Sequence, residues 1–287
     1  MAKTNAVFLV LLGGVFMSFV GLYMRLLSDA NGFQILFYRS IGICLVVCFV
    51  CCLKRRITLI NFLRTIDRND VSLGLALSLA FTCYVFAMLN TSVASALLIL
   101  SITPFLAASM GWFWIGERPK RITWYAMCFA FFGVFFMVKE GQEFGNNLGN
   151  FMALLSGFCF AVMLVMARKR RNKDILGGTF IGGFFSGIFG FFASAVTGAG
   201  LSVFISDFLI ILWMGIFGIG IGIALVTWGA SYVPAAEVSV LVLIESVLGP
   251  IWPWLLIGEA MTFSEILGGL LILGSVTVSA FFSTQLT

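Results

Sequence analysis

The sequence has no histidine, so the commonest metal ligand and the commonest general base are both missing. Histidine-based zinc sites and Ser-His-Asp triads are thereby excluded. Charge is scarce as well: Asp, Glu, Lys and Arg make up 10% of the 287 residues, well under the roughly 25% of a soluble domain. No aspartate stands in the body of an apolar run, no Gly-x-Ser-x-Gly occurs, and the glycines precede no P-loop lysine. A membrane-embedded enzyme would need a paired catalytic set that these absences deny it, so no enzyme is expected. No ATP-binding motif and no cofactor motif is present, and neither a cofactor nor a metal is expected.

What fills the chain is hydrocarbon. Hydrophobic residues reach 61%, in runs long enough to cross a bilayer core about 30 Å thick, which takes roughly 20 apolar residues per helix. The runs lack the alternation of a membrane barrel, so helices are the form that satisfies the backbone in lipid. Cys44, Cys48, Cys51, Cys52, Cys83, Cys128 and Cys159 all lie in or beside these runs and read as small buried hydrophobes. The run after Lys3 has the positive start of a signal peptide but no clean cleavage pattern. An equivalent run recurs in mid-chain, so the first is kept as a helix.

Ten spans follow, near 5–26, 33–53, 71–89, 92–115, 121–139, 148–167, 176–197, 207–230, 235–257 and 263–283. Pro104 in the fourth and Pro250 and Pro253 in the ninth predict a bend or break where each ring removes a donor. Basic residues then alternate between loops, as membrane topology demands. With the N-terminus inside, cytoplasmic segments hold Lys3; Lys54, Arg55, Arg56, Arg64 and Arg68; Arg118, Lys120 and Arg121; and Arg168, Lys169, Arg170, Arg171 and Lys173. The opposite side holds only Arg25 and Lys139. Such short clusters at helix ends are topological markers facing membrane lipid, and no nucleic-acid partner is expected. The expected location is a bacterial-type inner membrane with both termini cytoplasmic.

A shift of 142 residues lays spans one to five on six to ten without a gap, giving units 1–141 and 142–287. Trp112, Ile115, Gly116 and Glu117 fall on Trp254, Ile257, Gly258 and Glu259, with weaker matches such as Phe16 on Phe158 and Val134 on Val276. Five spans per copy is odd, so the copies enter the membrane from opposite sides. The fold class expected is all-α, ten transmembrane helices in two inverted five-helix repeats, an architecture suited to alternating access around a midplane site.

Two ionisable groups lie deep in the spans, where insertion costs about 2.5–3.5 kcal/mol. Glu245, near the middle of the ninth span, has uncharged Thr103 as its counterpart. It binds a cationic group, exchanges a proton, or hydrogen-bonds across helices. Arg39, about two turns into the second span, has Ile181 as its counterpart. It either snorkels to headgroups or clamps a carboxylate. Glu117 and Glu259 recur in both halves beside Gly116 and Gly258, which favours a structural role. Glu237 at the mouth of the ninth span reads as a solvated charge favoured by the helix dipole. Trp112, Trp114, Trp124, Trp213, Trp252 and Trp254 sit near span ends, as an interfacial belt would. Gly177, Gly178, Gly182, Gly183, Gly187 and Gly190 predict close packing of the seventh span. Gly215, Gly218, Gly220 and Gly222 suggest a loosened eighth.

The five-plus-five pattern with a Gly-Glu signature closing the fourth span of each half resembles the drug/metabolite transporter superfamily. The run Leu243-Ile244-Glu245-Ser246, through Pro253-Trp254 and Ile257-Gly258-Glu259 to Leu267-Gly268-Gly269, is similar to the EamA domain. The resemblance covers essentially the whole chain, with one departure: EamA domains usually have proline where Ser246 stands. It implies a secondary carrier for a small-molecule substrate, with a central cavity lined by helices one, three, four, six, eight and nine. Members move amino acids, other polar metabolites, vitamins, choline-like cations or nucleotide sugars. Trp228 and Tyr84 fall on lining helices eight and three, near Phe160 of helix six and Ser18 of helix one. The substrate-binding set expected is therefore Glu245, Trp228, Tyr84, Phe160, Ser18 and Arg39, with a coupled proton or counter-substrate as further partner. Export or exchange of an amino acid is the first reading and uptake of a quaternary ammonium the second. A channel is the third, separable by saturable flux.

Overall fold

The computed structural model describes residues 3–56, 58–91, 93–138, 147–170, 175–198, 200–258 and 262–285. Lys139, Arg171, Lys173 and Glu259, and the side chains of Lys54 and Arg55, lie outside what is described. Fourteen α-helices and one π-helical stretch make up the described residues, with no strand among them. The first five spans are α1 (Lys3–Arg25), α2 (Gly32–Arg55), α4 (Arg68–Asn90), the pair α5 (Val93–Leu100) and α6 (Thr103–Ile115), and α7 (Arg121–Val138). The second five are α8 (Asn147–Lys169), α9 (Leu176–Val196), α10 (Ile205–Trp213) running through a π-helix (Met214–Ile221) into α11 (Gly222–Ala230), the pair α12 (Ala235–Val242) and α13 (Ile244–Ile257), and α14 (Phe263–Gln285). Nine of these spans among the described residues are long and apolar enough to cross a membrane, and Arg121–Met137 is a shorter apolar helix.

Local chemistry sets the helix starts. Asn31 caps α2 by accepting from the N–H groups of Phe33 and Gln34, while Gln34 reciprocates to the Asn31 backbone. Asp67 and Asp70 form the same box at α4. One element was not read from sequence: α3 (Leu59–Arg64), a short helix that buries Phe62 against Phe180 while Leu59, Ile60 and Leu63 stay exposed. Its polar flanks make it look like loop in a hydropathy reading.

The ten spans form two inverted five-helix repeats, and the 142-residue shift carries α5 (93–100) onto the bounds of α12 (235–242). Packing obeys the same exchange. Span seven packs on span three as span two packs on span eight, span six packs on spans three and four as span one packs on eight and nine, and α7 pairs with α14. The fourth span breaks at Ser101 and Ile102, just before Pro104, whose ring lacks the N–H that α5 would need to continue. The ninth breaks at Leu243, the position 142 residues on, and not at its prolines. This corrects the expectation: Pro250 and Pro253 sit inside α13, and the break follows the equivalent packing of the two halves. Gly14 of α1 meets this break, since a Cβ there would stand 2.5 Å from Ile244 Cγ2.

Close packing holds on the seventh span, where Gly178 and Gly182 receive Leu73 and Leu77 of α4 and Gly183 receives Ile43 of α2. The eighth-span glycines are not loose. Gly215 lets the π-helix press on the Arg39 backbone, and Gly222 meets Gly13 of α1.

Among the described residues, three polar clusters gather at one end. Arg168 pairs with Glu117, Arg170 with Asp67 and Asp70, and Lys3 with Glu237. Glu237 is 5% exposed, also accepts from Ser283, and is therefore no solvated charge. At the other end Asp207 accepts the N–H groups of Ser28, Asp29 and Ala30. Trp112, Trp114, Trp124, Trp213 and Trp254 are exposed on the outside of the bundle. Cys128 is exposed too, unlike the buried thiols Cys51, Cys83 and Cys159.

Candidate functional site

Arg39 rises from α2 into the bundle and is 2% exposed. It does not snorkel. Its guanidinium carbon stands 5.3 Å from the centroid of the Phe81 ring on α4, and its Nε and Nη2 have no hydrogen-bond partner. The hydroxyls of Ser40 and of Ser186 on α9 are likewise buried and unsatisfied. One helical turn beyond Phe81, Tyr84 lies within electrostatic range of both Arg39 and Glu245.

Glu245 occupies the first turn of α13, directly after the break at Leu243. The positive end of the α13 dipole favours a carboxylate there, and the discontinuity frees backbone groups at the depth where broken helices build sites. Tyr84 and Glu245 are both half-buried. In the other half Thr103 occupies the equivalent position and is buried against Gly157 of α8.

Tyr84 thus lies within electrostatic reach of two ionisable groups, Arg39 and Glu245. Ser18 is placed differently: it is 3% exposed, donates to the Val15 carbonyl at 2.6 Å, and accepts from Trp252 Nε1 at 2.8 Å. Trp252 also stacks on Phe19 with ring centroids 4.2 Å apart. This corrects the reading of Trp252 as an interfacial residue, for it turns inward to span one. Spacing along α13 does not reveal that direction, because hydrophobic residues surround it on all sides. Phe160 is half-buried against the main core, and Trp228 is half-buried on α11, one turn before Ser231. No group of metal-ligating residues occurs among those described.

A separate cavity of about 220 Å³ lies at the charged end, lined by small residues such as Ala107 and Ala236 together with Glu117, Arg118, Lys120 and Glu237. Arg168 closes its flank by donating from Nε to Glu117 at 2.9 Å and from Nη1 to the Ser231 carbonyl at 3.2 Å. Glu117 therefore fixes its helix end against a neighbour. Its recurrence in the sequence was the signal, while Arg168 gave none, being one cation in a cluster.

Ten spans in two inverted repeats, with a buried arginine in one and a half-buried glutamate in another, define a multi-pass membrane protein of the transporter class. The chain belongs to the EamA-like transporter family, which it matches over residues 4–139 and again over 147–281. It is 25% identical over 229 residues to an uncharacterized transporter of Archaeoglobus fulgidus, covering 76% of this chain and 79% of that one. A protein of known crystal structure superimposes with a TM-score of 0.82 over 99% of this chain and 100% of that chain, at 18% identity, which speaks for the fold alone.

Proposed function

We propose that the protein is a secondary carrier that moves a small amphipathic metabolite, of amino-acid character, across a bacterial-type inner membrane by alternating access, in export or exchange. The observation that carries this reading is a pair of opposite charges in the spans, Arg39 buried in the second and Glu245 half-buried in the ninth, each within electrostatic reach of Tyr84. Neither ion is required by the repeat, since their counterparts are Ile181 and Thr103, and uncompensated charge in a span is retained where it serves transport. Arg39 favours a substrate with an anionic group over a quaternary ammonium, whose cation it would repel. Glu245 takes the cationic group or exchanges the coupled proton.

Trp228, Phe160 and Ser18 complete the lining in this reading. Ser18 acts by holding Trp252, and the aromatic faces suit a cation. The chain works as a transporter and not as an enzyme. Both termini are cytoplasmic, because Lys3, Arg118, Arg168 and Arg170 share the end that the positive-inside rule assigns to the cytoplasm.

A thermal-shift screen of the purified protein against amino acids, organic cations, nucleosides and vitamins, repeated with Glu245→Gln, tests the reading. Stabilisation by one class that disappears in the variant supports it. Equal stabilisation of both forms removes Glu245 from the site.

A further inference from the structure

We propose that the cavity at the charged end is an anion site that takes a phosphate group, held by Arg118 and Lys120 at its rim and by Thr123 within. The proposal does not rest on the carrier reading, since neither Arg39 nor Glu245 lines this cavity.

Charge supplies the first part of the argument. The lining carries two cations and two carboxylates, but only the carboxylates are already neutralised. Glu117 is paired with Arg168, and Glu237 with Lys3 while it also accepts from Ser283. The side chains of Arg118 and Lys120 make no ion pair among the described residues, and Arg118 merely lies over the exposed Trp112 ring, 5.7 Å from its centroid. The cavity is thus bordered by positive charge that the protein leaves unpaired. Membrane topology explains why cations stand at this end. It does not explain what they border.

Thr123 supplies the second part. It lines the cavity, is 3% exposed, and its hydroxyl makes no hydrogen bond among the described residues. Thr65, Thr197, Thr227 and Thr277, by contrast, each return the hydroxyl to a carbonyl of their own helix. A buried hydroxyl kept from water without a partner is costly, and the cavity is the one space in which Thr123 can find one.

The backbone adds donors of the same kind. Lys120 and Thr123 flank the start of α7, and Pro234 and Ala235 the start of α12, so two helix N-termini border the same space. Pro234 gives α12 no side-chain cap, which leaves the N–H groups of its first turn open to a ligand. Guanidinium, ammonium, hydroxyl and free N–H groups together match a group with several acceptor oxygens and negative charge, as phosphate has. A volume of about 220 Å³ holds roughly seven waters at ~30 Å³ each, so it admits a phosphate bearing a substituent. The 142-residue shift puts Ala260, Thr262 and Glu265 where Arg118, Lys120 and Thr123 stand, so the set is no by-product of the repeat. Basic pockets between spans on the cytoplasmic side receive phospholipid headgroups, and inorganic phosphate offers the same oxygens.

The test uses the full chain in detergent, with inorganic phosphate as probe against chloride at equal ionic strength. Phosphate should raise the melting temperature saturably where chloride does not. Arg118→Gln and Lys120→Gln should each weaken phosphate binding about tenfold. Thr123→Val, which removes an unpartnered hydroxyl and so leaves the fold intact, should weaken it about threefold. Arg64→Gln, the loss of an exposed cation outside the cavity, should leave it unchanged. Nanodiscs of phosphatidylglycerol or of phosphatidylcholine then separate the sources. Phosphate binding that persists in both names free phosphate as the occupant, and binding lost in either names the lipid headgroup; both results uphold the site. Stabilisation by chloride equal to that by phosphate, no phosphate binding in detergent, or a loss in Arg64→Gln as large as in Lys120→Gln overturns it.

Discussion

Arg168 at the end of the sixth span grips Glu117 at the end of the fourth, with Nη2 2.9 Å from Oε1, and reaches across to the Ser231 carbonyl. One side chain thereby ties the first half to the second at the charged end. Both partners are mostly shielded, with side-chain exposures of 12% and 19%, so removing one leaves the other charge poorly solvated. Arg168→Gln is expected to destabilise the protein by about 3 kcal/mol. A double-mutant cycle with Glu117→Gln measures the coupling, and additive losses would contradict the pair.

Gly215 and Gly274 make opposite predictions for the same substitution. A Cβ at Gly215 collides with the Arg39 backbone, while nothing stands within 4 Å of one at Gly274. Gly215→Ala should cost about 1–3 kcal/mol through overpacking. Gly274→Ala should stabilise by up to about 1 kcal/mol through helix propensity. Thermal unfolding of the two variants in one detergent decides it, and equal shifts would dismiss the close π-helix contact.

Acid sensitivity is expected at Asp67. Partial burial pushes its carboxyl up, but the Asp70 N–H and the Arg170 guanidinium outweigh this and leave it below the usual carboxylate range. A lowered folded pKa contributes stability above the unfolded value near ~3.9, which is lost as pH falls through the folded value. The melting temperature should therefore drop below about pH 4, less steeply in Asp67→Asn, which keeps a helix cap. Identical acid slopes would show that Asp67 contributes nothing.

Much of the architecture is legible in the sequence because lipid imposes it. Span length, alternate basic loops and the Trp-x-x-Ile-Gly-Glu repeat all follow from crossing a bilayer twice over in opposite senses. Positions of breaks are less legible: Pro104 marks one, but Leu243 carries no local signal and its break is set by packing against α1. Arg39 and Glu245 stand out as ions in apolar runs, so half of the site can be read from charge alone. Ser18 with Trp252 cannot, since a hydroxyl and an indole on spans one and nine meet only through the tertiary fold. Glu237 misleads for a similar reason, its partners Lys3 and Ser283 lying at opposite ends of the chain.

Counterflow in proteoliposomes tests the central claim most directly. Vesicles holding the purified protein and an unlabelled ligand found by the thermal screen are diluted into trace labelled ligand. The account predicts a transient, saturable overshoot that is lost in Glu245→Gln and in Arg39→Gln. Flux that rises linearly with concentration without trans-stimulation, or an overshoot unaltered in both variants, would contradict it.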